Sequence, residues 1–366
     1  MNQKKFNILF YCIILSGLAL RIYIVFFSSL GWKGCDTDFY LAMANGIISG
    51  NPISHFPNGY PLVLSAILYL GGEHVNIIAV MINIIVQILS LIIVKKILIA
   101  YSISQTTILL TILVFALYPN QVSSVRFIMS EPISMFLILF CIYLFVKKNY
   151  LVSGILGFLT FSFRPSLLLA TPLMILYALK NQNYYSAFKN AVGFLIGLGL
   201  FLILSSVGIT KNPSTQNYNT LVAIQSYGYD IQWNIDNFNE QEKQSPFTTY
   251  LNFAVQNPVK FLQQRFLSLY SLWGPVVDTE YGFIGRVLHG LRFPLFMIAV
   301  LVVLYRNKIQ YDKNLIVLLS IPVISLTFIQ MLYFSQQRHQ IAVEPFVITL
   351  SILGIMGLKS VERIKN

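Results

Sequence analysis

The sequence predicts an all-α, polytopic membrane protein with about ten transmembrane helices and short amphipathic helices on the extracytoplasmic side. Of its 366 residues, 56% are hydrophobic and only 10% are charged, whereas soluble domains carry about a quarter charged residues. Apolar runs long enough to cross a bilayer as helices recur along the chain. No segment has the alternating polarity of a membrane β-strand, so helices are the expected way to satisfy the backbone in lipid.

The net charge of +12 has a distribution that favours a membrane and excludes nucleic acid. No basic stripe with interleaved aromatic residues is present, as a nucleic-acid surface would require. Basic residues instead sit in pairs at the ends of apolar runs, which is typical of cytoplasmic helix ends. The pairs are Lys4-Lys5, Lys95-Lys96, Lys147-Lys148 and Arg306 with Lys308.

This charge pattern predicts a multi-pass protein of the plasma or inner membrane, with both termini cytoplasmic. We treat residues 1–366 as a single transmembrane domain of about ten spans. Eight spans are expected near residues 7–28, 75–94, 106–118, 132–146, 191–209, 288–305, 315–334 and 341–358, and two shorter ones flank the segment FSFRPS. Residues 181–190 are expected to form a cytoplasmic loop, and GYPLVLSAILYLGG is expected to lie at the outer interface.

Two long outer loops follow from this topology. Residues 29–74 contain a short predicted helix, and residues 210–287 contain an amphipathic segment, NPVKFLQQRFLSLYSLW, suited to the membrane interface. Only Asp312 and Glu362 among the acids fall on the predicted inner side. Chemistry that uses carboxylates is therefore expected on the extracytoplasmic side.

The segment GCDTDFYLAMANGIISGNP carries Asp36 and Asp38 at the start of the predicted outer helix. Its apolar residues have helical spacing, and Gly50 followed by Asn51-Pro52 predicts the end of the helix. One interpretation is structural: Asp36 caps the helix and Asp38 complements its dipole. The other is that these carboxylates are catalytic.

Further charged residues are expected at outer helix ends, and each has a structural alternative. Glu131 in SEP could belong to a helix start that Ser130 caps. Arg164 in FSFRPS lies between two apolar runs, where a charge is costly unless it is paired or reaches water; it could also extend to the interface. Arg338 and His339 precede the last span, and Arg126 is a further outer cation.

One acid together with several arginines suits the transfer of a sugar from a lipid-linked sugar phosphate. The acceptor hydroxyl must lose a proton, which one carboxylate can accept as a general base. Phosphate leaves as an anion without needing a second acid, and arginines stabilise it through charge-assisted bonds. Nothing in the spacing of Cys, His, Asp and Glu residues indicates a metal or another cofactor, although a divalent metal stays an open option.

Several short motifs occur in a fixed order along nearly the full length of the chain. The pattern Asp-x₃-Tyr-x₃-Ala-x₅-Gly begins at Asp36 and ends at Gly50. The segments that follow it are FPNGYPLVLSAIL, SEP, GILGFLTFSFRPSLLL, NPVKFLQQRFLSLYSLW and QQRHQIAVEPFV. In these motifs the sequence resembles the polytopic glycosyltransferases of the GT-C superfamily, and within it the protein O-mannosyltransferase and aminoarabinose transferase group (glycosyltransferase family 39-like), with His339 where tyrosine is usual.

The resemblance implies an inverting transferase of the cell envelope that uses a polyprenyl-phosphate sugar on the extracytoplasmic side. It implies that the first-loop aspartate, Asp36, is the base. The family's second acid usually follows the first directly, whereas Asp38 stands two positions later, so Asp38 stays the other catalytic candidate. The acceptor would be a glycan, lipid or protein, recognised by the outer loops. The phosphate-binding candidates are Arg164, Arg338, Arg126 and His339, and the substrate-binding candidates are Tyr40, Glu131, His55 and Tyr60.

Three other kinds of membrane protein are alternatives. A flippase of cell-surface polysaccharide assembly should carry charges in mid-span along a path, whereas here they concentrate at outer ends. A polysaccharide polymerase would share outer-loop arginines and is harder to separate from a transferase. A purely structural membrane protein would have no use for the costly Arg164.

Overall fold

The computed structural model describes residues 1–27, 36–52, 57–206, 252, 254–274, 290–332 and 337–365, with side chains left out at 337–338 and 358–365. Every regular element in these ranges is helical. The α-helices are α1 (Gln3–Phe26), α2 (Thr37–Ile48), α3 (Gly59–Gly71), α4 (Val75–Ala100), α5 (Gln105–Leu117), α6 (Pro119–Ser124), α7 (Glu131–Val146), α8 (Tyr150–Phe163), α9 (Ala170–Lys180), α10 (Tyr184–Ser206), α11 (Pro258–Trp273), α12 (Arg292–Leu304), α13 (Lys313–Leu332) and α14 (Glu344–Lys365). The 3-10 helix Gln337–Ala342, called the 337 turn below, precedes α14.

The long apolar helices make this a membrane protein. Among the described residues, four helical stretches are long and apolar enough to cross a bilayer, namely Gln3–Phe26, Gly59–Ala100, Tyr184–Ser206 and Lys313–Leu332. Shorter apolar helices lie at Gln105–Leu117, Glu131–Val146, Tyr150–Phe163, Pro165–Lys180, Arg292–Leu304 and Glu344–Gly357. Helices therefore lie in the described parts of the predicted spans, while the number of about ten crossings stays a prediction.

The start of α10 corrects one expected loop. Residues 181–190 are predicted as a cytoplasmic loop, but α10 begins at Tyr184. The side chain of Asn183 accepts a hydrogen bond from the Ser186 backbone N–H at 3.1 Å, which satisfies a donor in the first turn of a helix. This cap extends the helix seven residues before the predicted apolar start at Ala191.

Gly72 separates α3 from α4 inside the longest apolar stretch. Its φ of +51° lies in the left-handed region, and a Cβ there would meet no atom within 4 Å, so the conformation, not crowding, favours glycine. The chain turns at this point, and α3 packs back against α4. With its 26 residues, α4 alone measures about 39 Å, enough to span a bilayer.

Two larger hydrophobic clusters organise the described helices, beside a third cluster made of Val25, Val80, Ile84 and Val125. The larger of the two joins residues of α1, α4, α5 and α7 to α14. The smaller lies between α2, α3 and the first turns of α4, and it also contains Ile128 and Ile133 beside the start of α7. The smaller cluster therefore fixes α2, and with it Asp36, against the beginning of α7.

The segment NPVKFLQQRFLSLYSLW contains the predicted helix as α11 (Pro258–Trp273), while its place in an outer loop stays a prediction. Its apolar residues Val259, Leu262, Phe266 and Tyr270 are exposed along one face. Some of its polar residues are buried on the other side, including Arg265, which donates to the backbone oxygen of Leu332 on α13. A helix that exposes an apolar face in this way suits a lipid environment.

Helices α8 and α10 pack with their backbones in close approach at two glycines. A Cβ on Gly154 would lie 2.0 Å from the backbone oxygen of Asn190, and one on Gly193 would lie 2.0 Å from that of Leu151. Backbone atoms cannot yield as a flexible side chain can. This contact depends on the absence of a side chain at both positions.

We expect Gly193→Ala to lower the free energy of unfolding by about 1–3 kcal/mol, because the new methyl group overpacks the α8–α10 contact. Gly199→Ala on the same helix is the matched control, since a Cβ there meets nothing within 4 Å. Thermal unfolding in detergent measures both. Equal melting temperatures for the two variants would contradict the close approach.

Candidate active site

Asp36 stands at the beginning of α2 without capping it. It occupies the N-cap position with α-helical dihedral angles, and its side chain makes no capping hydrogen bond. The Tyr40 backbone N–H bonds to its carbonyl oxygen at 3.0 Å, so Asp36 continues the helical path. The cap interpretation of its carboxylate is therefore not supported.

The two aspartates lie on different faces of α2. Asp36 is half-buried and, by helical spacing, shares a face with the buried residues Tyr40, Met43 and Ala44. Asp38 is exposed. Only the face that carries Asp36 turns toward the protein interior.

A line of hydrogen bonds leads from α2 to a buried ion pair. The Tyr40 hydroxyl donates to Ser130 Oγ at 3.3 Å, and the Ser130 hydroxyl lies 3.4 Å from the Oε2 of Glu131, to which it donates. Glu131 Oε1 in turn accepts from Arg164 Nη1 at 2.9 Å. Residues from α2, the start of α7 and the end of α8 thus converge at one place.

The Glu131–Arg164 ion pair argues against the structural alternatives for both residues, which are a helix start capped by Ser130 and an arginine that extends to the interface. Glu131 is 2% exposed and Arg164 9% exposed, so the arginine does not extend into open solvent. Ser130 is the N-cap residue of α7, but its hydroxyl faces the Glu131 carboxylate and makes no capping bond. Removing only one partner of such a buried ion pair destabilises the protein, because the other charge is left buried and uncompensated.

Tyr60 and Tyr40 together form an aromatic surface, called the aromatic wall below. The ring of Tyr60 meets that of Tyr40 edge-on, with centroids 4.9 Å apart, and Tyr60 is almost fully buried. Burial raises the pKa of the Tyr40 hydroxyl, and the Glu131 and Asp36 carboxylates raise it further. Tyr40 is therefore a neutral hydrogen-bond donor at physiological pH.

The remaining phosphate-binding candidates lie on other elements. Arg126 is half-buried, and its guanidinium carbon is 4.3 Å from the centre of the Phe127 ring, in the connector before α7. His339 lies in the 337 turn, where its Nδ1 is 3.0 Å from Gln330 Oε1. That turn packs against α6 and α7. The structure thus groups Tyr40, Glu131 and Arg164 through Ser130, while His339 lies in the 337 turn.

Some predicted features lie outside the described residues. These are His55, the first residues of the 29–74 loop, most of the 210–287 loop and the side chain of Arg338. Within the described ranges, no group of three or more His, Cys, Asp and Glu residues could hold a metal ion.

Sequence reasoning missed a second buried polar region. Arg21 on α1 is fully buried and donates to Gln87 Oε1 at 2.7 Å and to the backbone oxygen of Ala116 at 2.8 Å. Glu344 accepts from the amides of Asn120 and Gln121. The sequence does show one charged residue inside each of these two apolar runs. Such a charge is costly within a membrane unless it has hydrogen-bond or ion-pair partners.

Comparison with known proteins identifies the fold. No protein-family model matches the chain, and no curated protein matches it. The oligosaccharyltransferase of Archaeoglobus fulgidus, solved tethered to an acceptor peptide with the NVT sequon, matches with a TM-score of 0.58 and 13% identity. That alignment covers 95% of this chain and 49% of the other.

A second solved structure gives the same result. It is AglB, the archaeal oligosaccharyltransferase from Archaeoglobus fulgidus, in complex with an inhibitory peptide and a dolichol-phosphate. Its TM-score is 0.55 at 13% identity, over 95% of this chain and 50% of the other. The chain thus spans about half the length of these proteins. It shares the helical fold of these archaeal oligosaccharyltransferases over nearly its whole length. Membership of the GT-C superfamily, and of the mannosyltransferase and aminoarabinose transferase group within it, stays a prediction.

Proposed function

We propose that this protein is a membrane glycosyltransferase that moves a sugar from a polyprenyl-phosphate donor to an extracytoplasmic acceptor, with inversion at the anomeric carbon. One observation carries the proposal. Asp36 shares the inward face of α2 with Tyr40, which reaches the buried Glu131–Arg164 pair through Ser130. The likeness of the chain to the fold of an archaeal oligosaccharyltransferase supports the same proposal.

Asp36 is the proposed general base. It accepts the proton of the acceptor hydroxyl while that oxygen bonds to the anomeric carbon and the bond from that carbon to the phosphate oxygen breaks. The electron pair leaves with the lipid phosphate, which needs no protonation. Asp38, on the exposed face, is the weaker catalytic candidate.

Cations are proposed to stabilise the departing phosphate. Arg164 is already paired with Glu131, but its buried Nε has no hydrogen-bond partner among the described residues, so it keeps a donor to offer. Because one carboxylate already balances that charge, further cations are needed, and we assign Arg126, Arg338 and His339 to this role. The dolichol-phosphate bound to AglB supports a lipid-phosphate donor.

The substrate is proposed to lie against the aromatic wall. The rings of Tyr40 and Tyr60 contact each other there. Glu131 holds Arg164 in place through the ion pair and Ser130 through a hydrogen bond. His55 and the outer loops 29–74 and 210–287 are assigned to acceptor recognition. The acceptor is a glycan, a lipid or a protein, and the peptides bound to the archaeal enzyme support the last of these.

Proteoliposomes with the purified protein test this function. Radiolabelled polyprenyl-phosphate sugars are supplied together with a detergent extract of cell-envelope acceptors. We expect label to move from the lipid to a more polar product and polyprenyl phosphate to be released. Label that crosses the bilayer still attached to lipid would indicate a flippase, and a ladder of lengthening chains would indicate a polymerase. Either result would reject the transferase.

A further inference from the structure

Glu344, the first residue of α14, lies in a buried polar cluster that the proposed reaction does not use. Its Oε1 accepts from Asn120 Nδ2 at 2.6 Å, and its Oε2 accepts from Gln121 Nε2 at 2.7 Å. The residue is 2% exposed. Each carboxylate oxygen thus faces an amide donor from α6.

Gln121 joins this carboxylate to the 337 turn. Its Nε2 donates both to Glu344 and to the backbone oxygen of Ile341, the latter at 2.8 Å. Ile341 belongs to the same turn as His339. One amide group therefore holds the turn and the start of α14 against α6.

Helix α6 is itself anchored from the opposite side. The Ser124 hydroxyl accepts from Gln87 Nε2 at 2.9 Å, and Gln87 Oε1 accepts from Arg21 Nε at 2.7 Å. One turn away on α4, Asn83 donates to the backbone oxygen of Phe127 at 2.8 Å. The connector between α5 and α7, residues 118–130, is consequently tied to α1 and α4.

The same connector ends at Ser130, where Tyr40 and Glu131 meet. We propose that Glu344 is a positioning residue that keeps the 337 turn, with His339 and Arg338, in register with the Glu131–Arg164 pair. This role rests on the proposed function, because the turn carries two of the proposed phosphate-binding residues. Glu344 acts through Gln121 and contributes no group to the reaction.

Glu344→Ala should loosen the turn, because Asn120 and Gln121 would lose the acceptor that holds them. We expect backbone amides of residues 337–343 to exchange with deuterium about tenfold faster or more. Gln121→Ala should have the same local effect without a substitution in α14 itself, because it removes the donor that joins Glu344 to the turn. Glu344→Gln keeps one acceptor oxygen and should fall between wild type and Glu344→Ala.

The kinetic test separates positioning from general stability. In the transfer assay we expect Glu344→Ala to raise the KM for the lipid-phosphate sugar about tenfold and to change kcat less. This pattern is expected when a variant weakens substrate binding equally in the ground state and in the transition state. Asp312→Asn is the matched control. It is an exposed acid before α13 that bonds the Asn314 backbone N–H and contacts none of this cluster.

Three outcomes decide the proposal. Faster exchange confined to the turn and the residues it contacts, together with the raised KM, supports it. Unchanged exchange in both Glu344→Ala and Gln121→Ala overturns it, as does faster exchange spread over all helices with a lower melting temperature. Exchange is measured without substrate, so absence of transfer by the wild-type protein would reject the proposed function while leaving the exchange result to decide the role of Glu344.

Discussion

Asp36→Asn should abolish sugar transfer while leaving the fold intact. Asparagine has nearly the same shape but cannot accept a proton, and loss of a general base costs about 10²–10⁴-fold in rate. Because the Asp36 side chain does not cap α2, the substitution removes no bond that starts the helix. Initial rates from proteoliposomes measure the effect, and donor binding should persist.

Asp38→Asn is the matched control for this experiment. It makes the same chemical change two residues later, on the exposed face of α2. We expect its rate to stay within about threefold of wild type, as surface substitutions usually have small effects. A large loss of transfer rate in Asp38→Asn, with Asp36→Asn still active, would identify Asp38 as the base instead of Asp36. Full activity in both variants would contradict an aspartate base on α2.

Glu131→Met should both destabilise the protein and stop transfer. Removing one partner leaves the Arg164 charge buried and uncompensated, which costs about 3–5 kcal/mol. The loss should appear in thermal or denaturant unfolding in detergent. The Ser130 hydroxyl would also lose its acceptor, so that Tyr40 would lose its fixed position.

The double variant Glu131→Met with Arg164→Met separates stability from activity. Replacing a whole buried ion pair by apolar side chains is often neutral or stabilising. We therefore expect the double variant to unfold close to wild type, yet to remain inactive because the proposed phosphate contact is gone. Recovery of transfer in the double variant would show that the pair is only structural.

The helices themselves were largely predictable from the sequence. The predicted spans 106–118, 132–146 and 315–334 correspond to α5, α7 and α13 within one or two residues, because apolar length and flanking charges determine them. The short helix after Asp36 and its end before Gly50, which has a φ of +73°, were also predictable. The cap on α10 was not recognised, since Asn183 lies among other polar residues.

The partners of buried charges were not predictable. The sequence indicated that Arg164 needs a partner, but Glu131 is 33 positions away, and only the packing of α7 against α8 brings the two together. The Arg21–Gln87–Ser124 chain and the Glu344 cluster depend in the same way on which helices are neighbours. A charge inside an apolar run reveals the need for a partner, whereas its identity is a tertiary property.

The choice between Asp36 and Asp38 shows what the structure adds. Both carboxylates stand at the start of one short helix, and the family-like spacing alone favours Asp36. Burial gives an independent reason, because Asp36 lies on the face that Tyr40 shares and Asp38 does not. The role itself remains a proposal that the substitutions test.

A cryo-EM structure of the Asp36→Asn variant with a polyprenyl-phosphate sugar bound is the most direct test of the account. The account predicts that the anomeric carbon lies within about 6 Å of the residue 36 side chain, leaving room for one acceptor oxygen between them. It also predicts that the phosphate contacts Arg164 and at least one of Arg126, Arg338 and His339. A donor phosphate bound at the opposite end of the helices, away from α2, would contradict it.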